Sequence, residues 1–210
     1  MSKTHALIGT SGWTYDGWRG PFYPDDVRKK DWLRYYASRF STTEINGSFY
    51  RTPTLEAVRG WRHDTPKHFG FAWKASKFIS HWKRLSSKSE NSIALMESRL
   101  KALAPKVVAI LFQLPPQFSK NRERLESFLR MLPRRQRYVF EFRHKSWYDD
   151  DILDVLHRAG RRAVSVRPSR RAIALGGDGA ACAHSRSRAG GALSRQLFEQ
   201  DAGSVGGRDC

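Results

Sequence analysis

A chain of 210 residues that is 40% hydrophobic and 12% aromatic can bury a core as one large or two small domains. It has no run of about 18 apolar residues to span a membrane. The start, MSKTHALIGTSGW, has too short an apolar run for a secretion signal, so the cytoplasm is the expected compartment. The two cysteines, Cys182 and Cys210, define neither a disulfide framework nor a metal site. The formal charge of +18 divides into +13 for residues 1–160 (29 basic, 16 acidic) and +5 for residues 161–210 (nine Arg, four acids). Much of the first part is single charges along helices, where a solvated face competes with a nucleic-acid patch as the reading.

Residues Ala6 to Ile8 form an apolar strand running into Gly9-Thr10-Ser11-Gly12-Trp13. Small residues there suit either a backbone anion cradle or a tight strand-to-loop turn. Trp32, Tyr35, Tyr36 and Phe40 recur at helical spacing and are expected to pack a helix. Thr42 to Tyr50 reads as a short strand whose tip offers Glu44 and Asn46, two apart and therefore on one face. Both could equally be structural hydrogen bonders. Thr54 is placed to cap a helix with Leu55, Val58 and Trp61 as its buried stripe.

The next strand, Phe69 to Lys74, alternates towards its lysine tip. The basic, serine-rich stretch Ala75 to Asn91 follows, holding His81, Trp82, Lys83 and Arg84, and its length predicts a lid over the mouth of the fold. Ile93, Met96, Leu100 and Leu103 line a helix that stops before Pro105. Val107 to Phe112 is continuously apolar, as in a strand buried on both faces, with Gln113 at its tip. Leu125, Phe128, Leu129 and Leu132 mark another helix. The stretch YVFEFRHKSW, Tyr138 to Trp147, is a strand with Glu141, Arg143 and His144 at its charged end. Its helix starts among Asp149, Asp150 and Asp151, with Gly160 as the expected C-terminal cap.

Five strands alternating with helices predict an α/β protein with a parallel sheet, either a (β/α)₈ barrel or a doubly wound sheet. The lack of Gly-x-Gly-x-x-Gly after the first strand favours the barrel. In such folds chemistry gathers at the carboxyl ends of the strands. The polar residues expected there are Glu44, Lys74 and Glu141 as catalytic groups, with Asn46, His81, Gln113 and Arg143 as substrate-binding groups. No HExxH, CxxC or histidine cluster indicates zinc, and the residues identify no cofactor.

The motifs GTSGWTYDGWRGPFYP, YYASRFSTTEINGSFYRTP, FAWKASKFISHWKRL, LFQLPPQF and YVFEFRHKSWY resemble, in order, those of the YecE-like family of uncharacterised TIM-barrel-like proteins. The resemblance covers residues 1–160 and implies a TIM-like barrel with its site at the strand ends. The family pattern continues with a strand ending in Asp, then a segment like YVRLHGPGG and a helix containing AAWA. After Gly160 this chain instead runs RRAVSVRPSRRAIALGGDGAACAHSRSRAGG. Reading permitted codons in a shifted frame lets Cys182 to Arg188 encode VRIHGPG and Ala192 to Val205 encode RYRGSYSSKTLAAW. Residues 161–210 are therefore expected to be an out-of-frame, disordered basic tail. Leu193, Leu197 and Phe198 could form at most one short amphipathic turn. The fold expected is a partial barrel of about five βα units, with Ala163 to Val166 as a possible sixth strand.

Two function classes follow. One is a barrel enzyme acting on a small polar or anionic substrate, with this chain itself inactive and poorly soluble. The other is a nucleic-acid binder using basic, Trp-containing surface such as Trp82-Lys83-Arg84. No membrane partner is expected.

Overall fold

The computed structural model describes residues 6–159, together with the strands 164–166 and 196–199. The helix cap expected at Gly160, both cysteines and most of the tail lie outside the described residues. Among the described residues seven strands form one sheet: β1 (Ala6–Ser11), β2 (Thr42–Ile45), β3 (Gly70–Lys74), β4 (Val107–Gln113), β5 (Tyr138–Phe142), β6 (Val164–Val166) and β7 (Gln196–Glu199). Their order is β6-β5-β4-β3-β2-β1-β7, with β1 to β6 parallel and β7 antiparallel to β1. A doubly wound sheet reverses its strand order part-way. Strands β1 to β6 run without reversal, so the fold is α/β with a curled half-barrel sheet.

Helices α1 (Trp32–Ala37), α2 (Leu55–Asp64), α3 (Glu90–Leu103), α4 (Arg122–Met131) and α5 (Asp150–Arg158) connect the strands. Their caps follow from sequence. Thr54 accepts from the Ala57 amide at 3.1 Å and Asn121 from the Arg124 amide at 2.9 Å. Ile93, Met96, Leu100 and Leu103 of α3 are buried, as are Leu125, Phe128 and Leu129 of α4. Leu55, expected in the buried stripe of α2, is exposed. It is the first helical residue and faces outward, whereas Val58, one turn on, meets the core.

Side chains alternate across the pleat, giving the sheet two unlike faces. Ile45, Phe71, Trp73, Ile110, Phe112, Tyr138, Phe140 and Phe142 are all buried on one face. Phe112 and Phe140 meet Phe128 of α4 edge-on, at 5.0 and 6.4 Å. The opposite face carries Gly9, Gly70, Ala72 and Ala109, and then polar groups towards the carboxyl ends of the strands. Val107, Val108 and Leu111 are only partly buried, although the apolar run of β4 predicts burial on both faces; Val107 packs against the core cluster.

Three further expectations change. Strand β2 stops at Ile45, and Asn46 to Tyr50 turn through a short 3₁₀ helix at Gly47–Phe49, so Asn46 does not share a strand face with Glu44. The stretch Ala75–Asn91 is not an irregular loop. It holds a π-helix at Phe78–Trp82 and a 3₁₀ turn at Ser87–Ser89, pinned by buried Ile79 and Leu85. Leu197 and Phe198 lie in β7, paired with Ile8 and Leu7, because pairing with an open strand edge outweighs a weak local helical pattern. The sixth strand expected at Ala163 to Val166 is present as β6, beside β5.

Candidate functional site

Ser11, Glu44, Lys74, Gln113 and Glu141 all stand at or next to the carboxyl ends of their strands. The ladder brings them together: Ser11 is opposite Glu44, Lys74 opposite Leu111, and Gln113 opposite Glu141. Two carboxylates anchor the cluster. Glu44, 1% exposed, accepts from the Ser11 hydroxyl at 2.8 Å and lies 3.7 Å from the Lys74 ammonium. Glu141, 5% exposed, accepts from the Gln113 amide at 2.8 Å on Oε2 and from Arg143 Nε at 3.1 Å on Oε1. Each buried negative charge thus sits between a polar donor and a cation, which is what keeps its burial affordable.

The Arg143 side chain is 42% exposed and uses only Nε on Glu141. Its two terminal nitrogens have no protein acceptor among the described residues, so a planar pair of donors faces outward. Lys74 lies 5.2 Å from the Phe49 ring, and His81 packs edge-on against the same ring at 5.0 Å. The His81 Nδ1 is 2.9 Å from the Ser80 hydroxyl. Burial pushes the His81 pKa below its ordinary value, and Arg143, Lys74 and Lys77 add to the effect against the opposing pull of Glu141. The histidine therefore feels both halves of the cluster, and the shift favours its neutral form.

Of the residues expected at the site, Glu44, Lys74, His81, Gln113, Glu141 and Arg143 are gathered. Asn46 is not. It hydrogen-bonds Tyr15, which also feels Glu44, donates its own backbone amide to the Glu44 carbonyl at 3.0 Å, and lines a cavity of about 770 Å³ between α1 and α2. Ser11, Phe49, Ser80, Tyr15 and Tyr148 were not anticipated. Burial raises the Tyr15 and Tyr148 pKa values, and the nearby carboxylates Glu44 and Glu141, respectively, add to this. The glycine turn after β1 serves strand pairing: Gly12, at φ +83°, donates its amide to the Glu44 carbonyl at 2.9 Å, which favours the tight turn over an anion cradle. Among the described residues no group of three or more His, Cys, Asp and Glu is placed to hold a metal ion, and no helix is long and apolar enough to cross a membrane.

The pattern of the family described as "Protein of unknown function DUF72" matches residues 7–189. The chain belongs to the DUF72 family. The YecE-like resemblance of the motifs is to this same family, and the matched residues run on past Gly160 to residue 189. The crystal structure of a DUF72 family protein from Thermotoga maritima is similar, with a TM-score of 0.66 and 26% identity over 76% of this chain and 64% of that one. Two crystal structures of a DUF72 family protein from Enterococcus faecalis, 21% and 23% identical, share the fold with TM-scores of 0.54, over 64% of this chain and 52% and 57% of theirs. The chain thus spans less than two thirds of the length of these relatives. No curated protein matches it.

Proposed function

We propose that this DUF72 site performs acid–base chemistry on a small anionic substrate at the carboxyl ends of the strands. The outward-facing guanidinium of Arg143, held in place by Glu141, is the observation that carries the reading, because a fork with free donors suits a phosphate or carboxylate. Glu141 and Gln113 orient that fork. Lys74, held by Glu44, adds a second positive charge beside it. The proton carrier is His81, an imidazole tethered at one nitrogen by Ser80 and favoured in its neutral form by burial and the neighbouring cations. Titrating the chain with inorganic phosphate, Arg143→Ala is expected to weaken binding about tenfold or more, the usual worth of a charge-assisted hydrogen bond in a partly buried site. Unchanged binding would remove the anion-site reading. The rival reading, a nucleic-acid surface, draws on exposed Trp82 among basic residues. It requires affinity for single strands that collapses as salt rises.

The half-barrel is proposed to be five units of a TIM-like barrel whose remaining strands are encoded in another frame. The shifted-frame motifs VRIHGPG and RYRGSYSSKTLAAW support this. The nucleotide sequence near the Gly160 codon is expected to regain both motifs on a one-base change. Stops in that frame would leave residues 161–210 as an evolved basic segment. On this reading the 210-residue chain lacks strands that close the site and is inactive.

A further inference from the structure

Two aromatic rings beside the site stand unusually far into solvent: Tyr50 is 68% exposed and Trp82 is 65% exposed. Single exposed rings are ordinary on a protein surface. These two flank one cation, with the Lys77 ammonium 5.4 Å from the Tyr50 ring and 5.1 Å from the Trp82 ring. They are also tied to the polar cluster by direct contacts. Phe49 meets Tyr50 edge-on at 5.1 Å while touching His81 and Lys74 on its other sides. Trp82 is steadied from behind by Phe78, edge-on at 5.9 Å, and both belong to the π-helix that carries His81. Local π-helical turns of this kind are frequent at functional sites.

The geometry points to a stacking platform, formed by Trp82 and Tyr50 around Lys77, for the ring of a phosphate monoester whose anionic end is held by Arg143. The inference rests on the anion-site reading of Arg143 and adds the substrate class. Three cations, Lys74, Lys77 and Arg143, face two carboxylates, Glu44 and Glu141, so the region carries a positive surplus that a dianion answers. A flat ring gains contact on an exposed indole whether it is a nucleobase or the apolar face of a cyclic sugar. Nucleoside monophosphates and pyranose phosphates share this chemistry.

Calorimetric titration of the full chain with inorganic phosphate, a nucleoside monophosphate and a pyranose phosphate tests it. At least one ring-bearing ester is expected to bind about tenfold tighter than inorganic phosphate, in line with the usual worth of stacking. The Trp82→Ala change should erase that advantage and leave phosphate binding unaltered, while Trp82→Phe should retain most of it. Which ester gains identifies the ring. Ring-bearing esters that bind no tighter than phosphate, or that ignore Trp82→Ala, overturn the platform while the anion site stands. Trp82-dependent ester binding that ignores Arg143→Ala keeps the stacking surface and removes the anion site. No binding of any probe overturns both. Trp82-dependent binding confined to single-stranded oligonucleotides, lost steeply with salt, overturns the small-ligand assignment in favour of a polymer.

Discussion

Replacing Gly9 with alanine is expected to leave the chain unable to assemble its sheet. Gly9 pairs with Thr42 between β1 and β2, and a Cβ built there would lie 1.8 Å from the Thr42 carbonyl oxygen and 2.6 Å from its carbon. The obstacle is backbone, so no rotamer change relieves it. The two strands must separate, and the same movement would pull Ser11 from Glu44 and Gly12 from the Glu44 carbonyl. A loss of about 4 kcal/mol or more belongs to this class of clash, against a total stability of about 5–15 kcal/mol. Gly60 supplies the contrast. It lies within α2 with nothing within 4 Å of its would-be Cβ, so Gly60→Ala should stabilise the helix by about 0.5–1 kcal/mol. Thermal melts of the two variants should move in opposite directions, and a Gly9→Ala protein that melts like the parent would contradict the close strand approach.

The positions of Glu44, Lys74, Gln113 and Glu141 were legible in the sequence for a simple reason. Lys74, Gln113 and Glu141 sit where an apolar strand pattern gives way to a polar residue, Glu44 stands at the tip of a short strand, and parallel strands bring all such places to one end. Ser11 carries no comparable mark. It sits among small residues that suit a turn, and its role appears only when β1 and β2 pair across 33 positions of sequence. The end of β2 at Ile45 was hidden because the alternation in Thr42 to Tyr50 looks continuous, whereas the chain turns at Gly47, taking Asn46 off the strand face of Glu44. The order of Ala75–Asn91 was also hidden. Ile79 and Leu85 anchor it without any repeating period, through a π-helix and two successive residues, Arg84 and Leu85, at φ 46° and 63°. Strand β7 was illegible for a different reason, since Gln196 to Glu199 is defined by its partner β1 and not by its own composition.

The change His81→Gln is expected to cost the largest share of any turnover, about 10²–10⁴-fold, the usual contribution of a positioned proton carrier. The residue is suited to that role by its surroundings. Ser80 holds Nδ1 at 2.9 Å and Phe49 fixes the ring edge-on, while Nε2 has no protein partner among the described residues. Glutamine keeps polarity and approximate size but cannot exchange a proton near neutral pH, so kcat should fall while KM for an anion held by Arg143 stays nearly constant. The pH profile supplies the sign. Burial and the cations Arg143, Lys74 and Lys77 depress the His81 pKa below 6.5, so the reactive neutral form persists down to that lowered value. The rate should be flat through neutrality and fall as the pH drops below 6.5 through the folded-state pKa. The same depression means that His81 contributes full stability above its unfolded value and loses it as the pH falls through the folded one. Removing one of these cations by Lys74→Met, which leaves the anion-holding Arg143 in place, should move the acid limb of the rate upward in pH, towards the ordinary histidine value. The assay belongs on the frame-restored protein, in which the proposed barrel is closed. If His81→Gln leaves kcat intact there, or if Lys74→Met leaves the acid limb where it was, the proton carrier is another group.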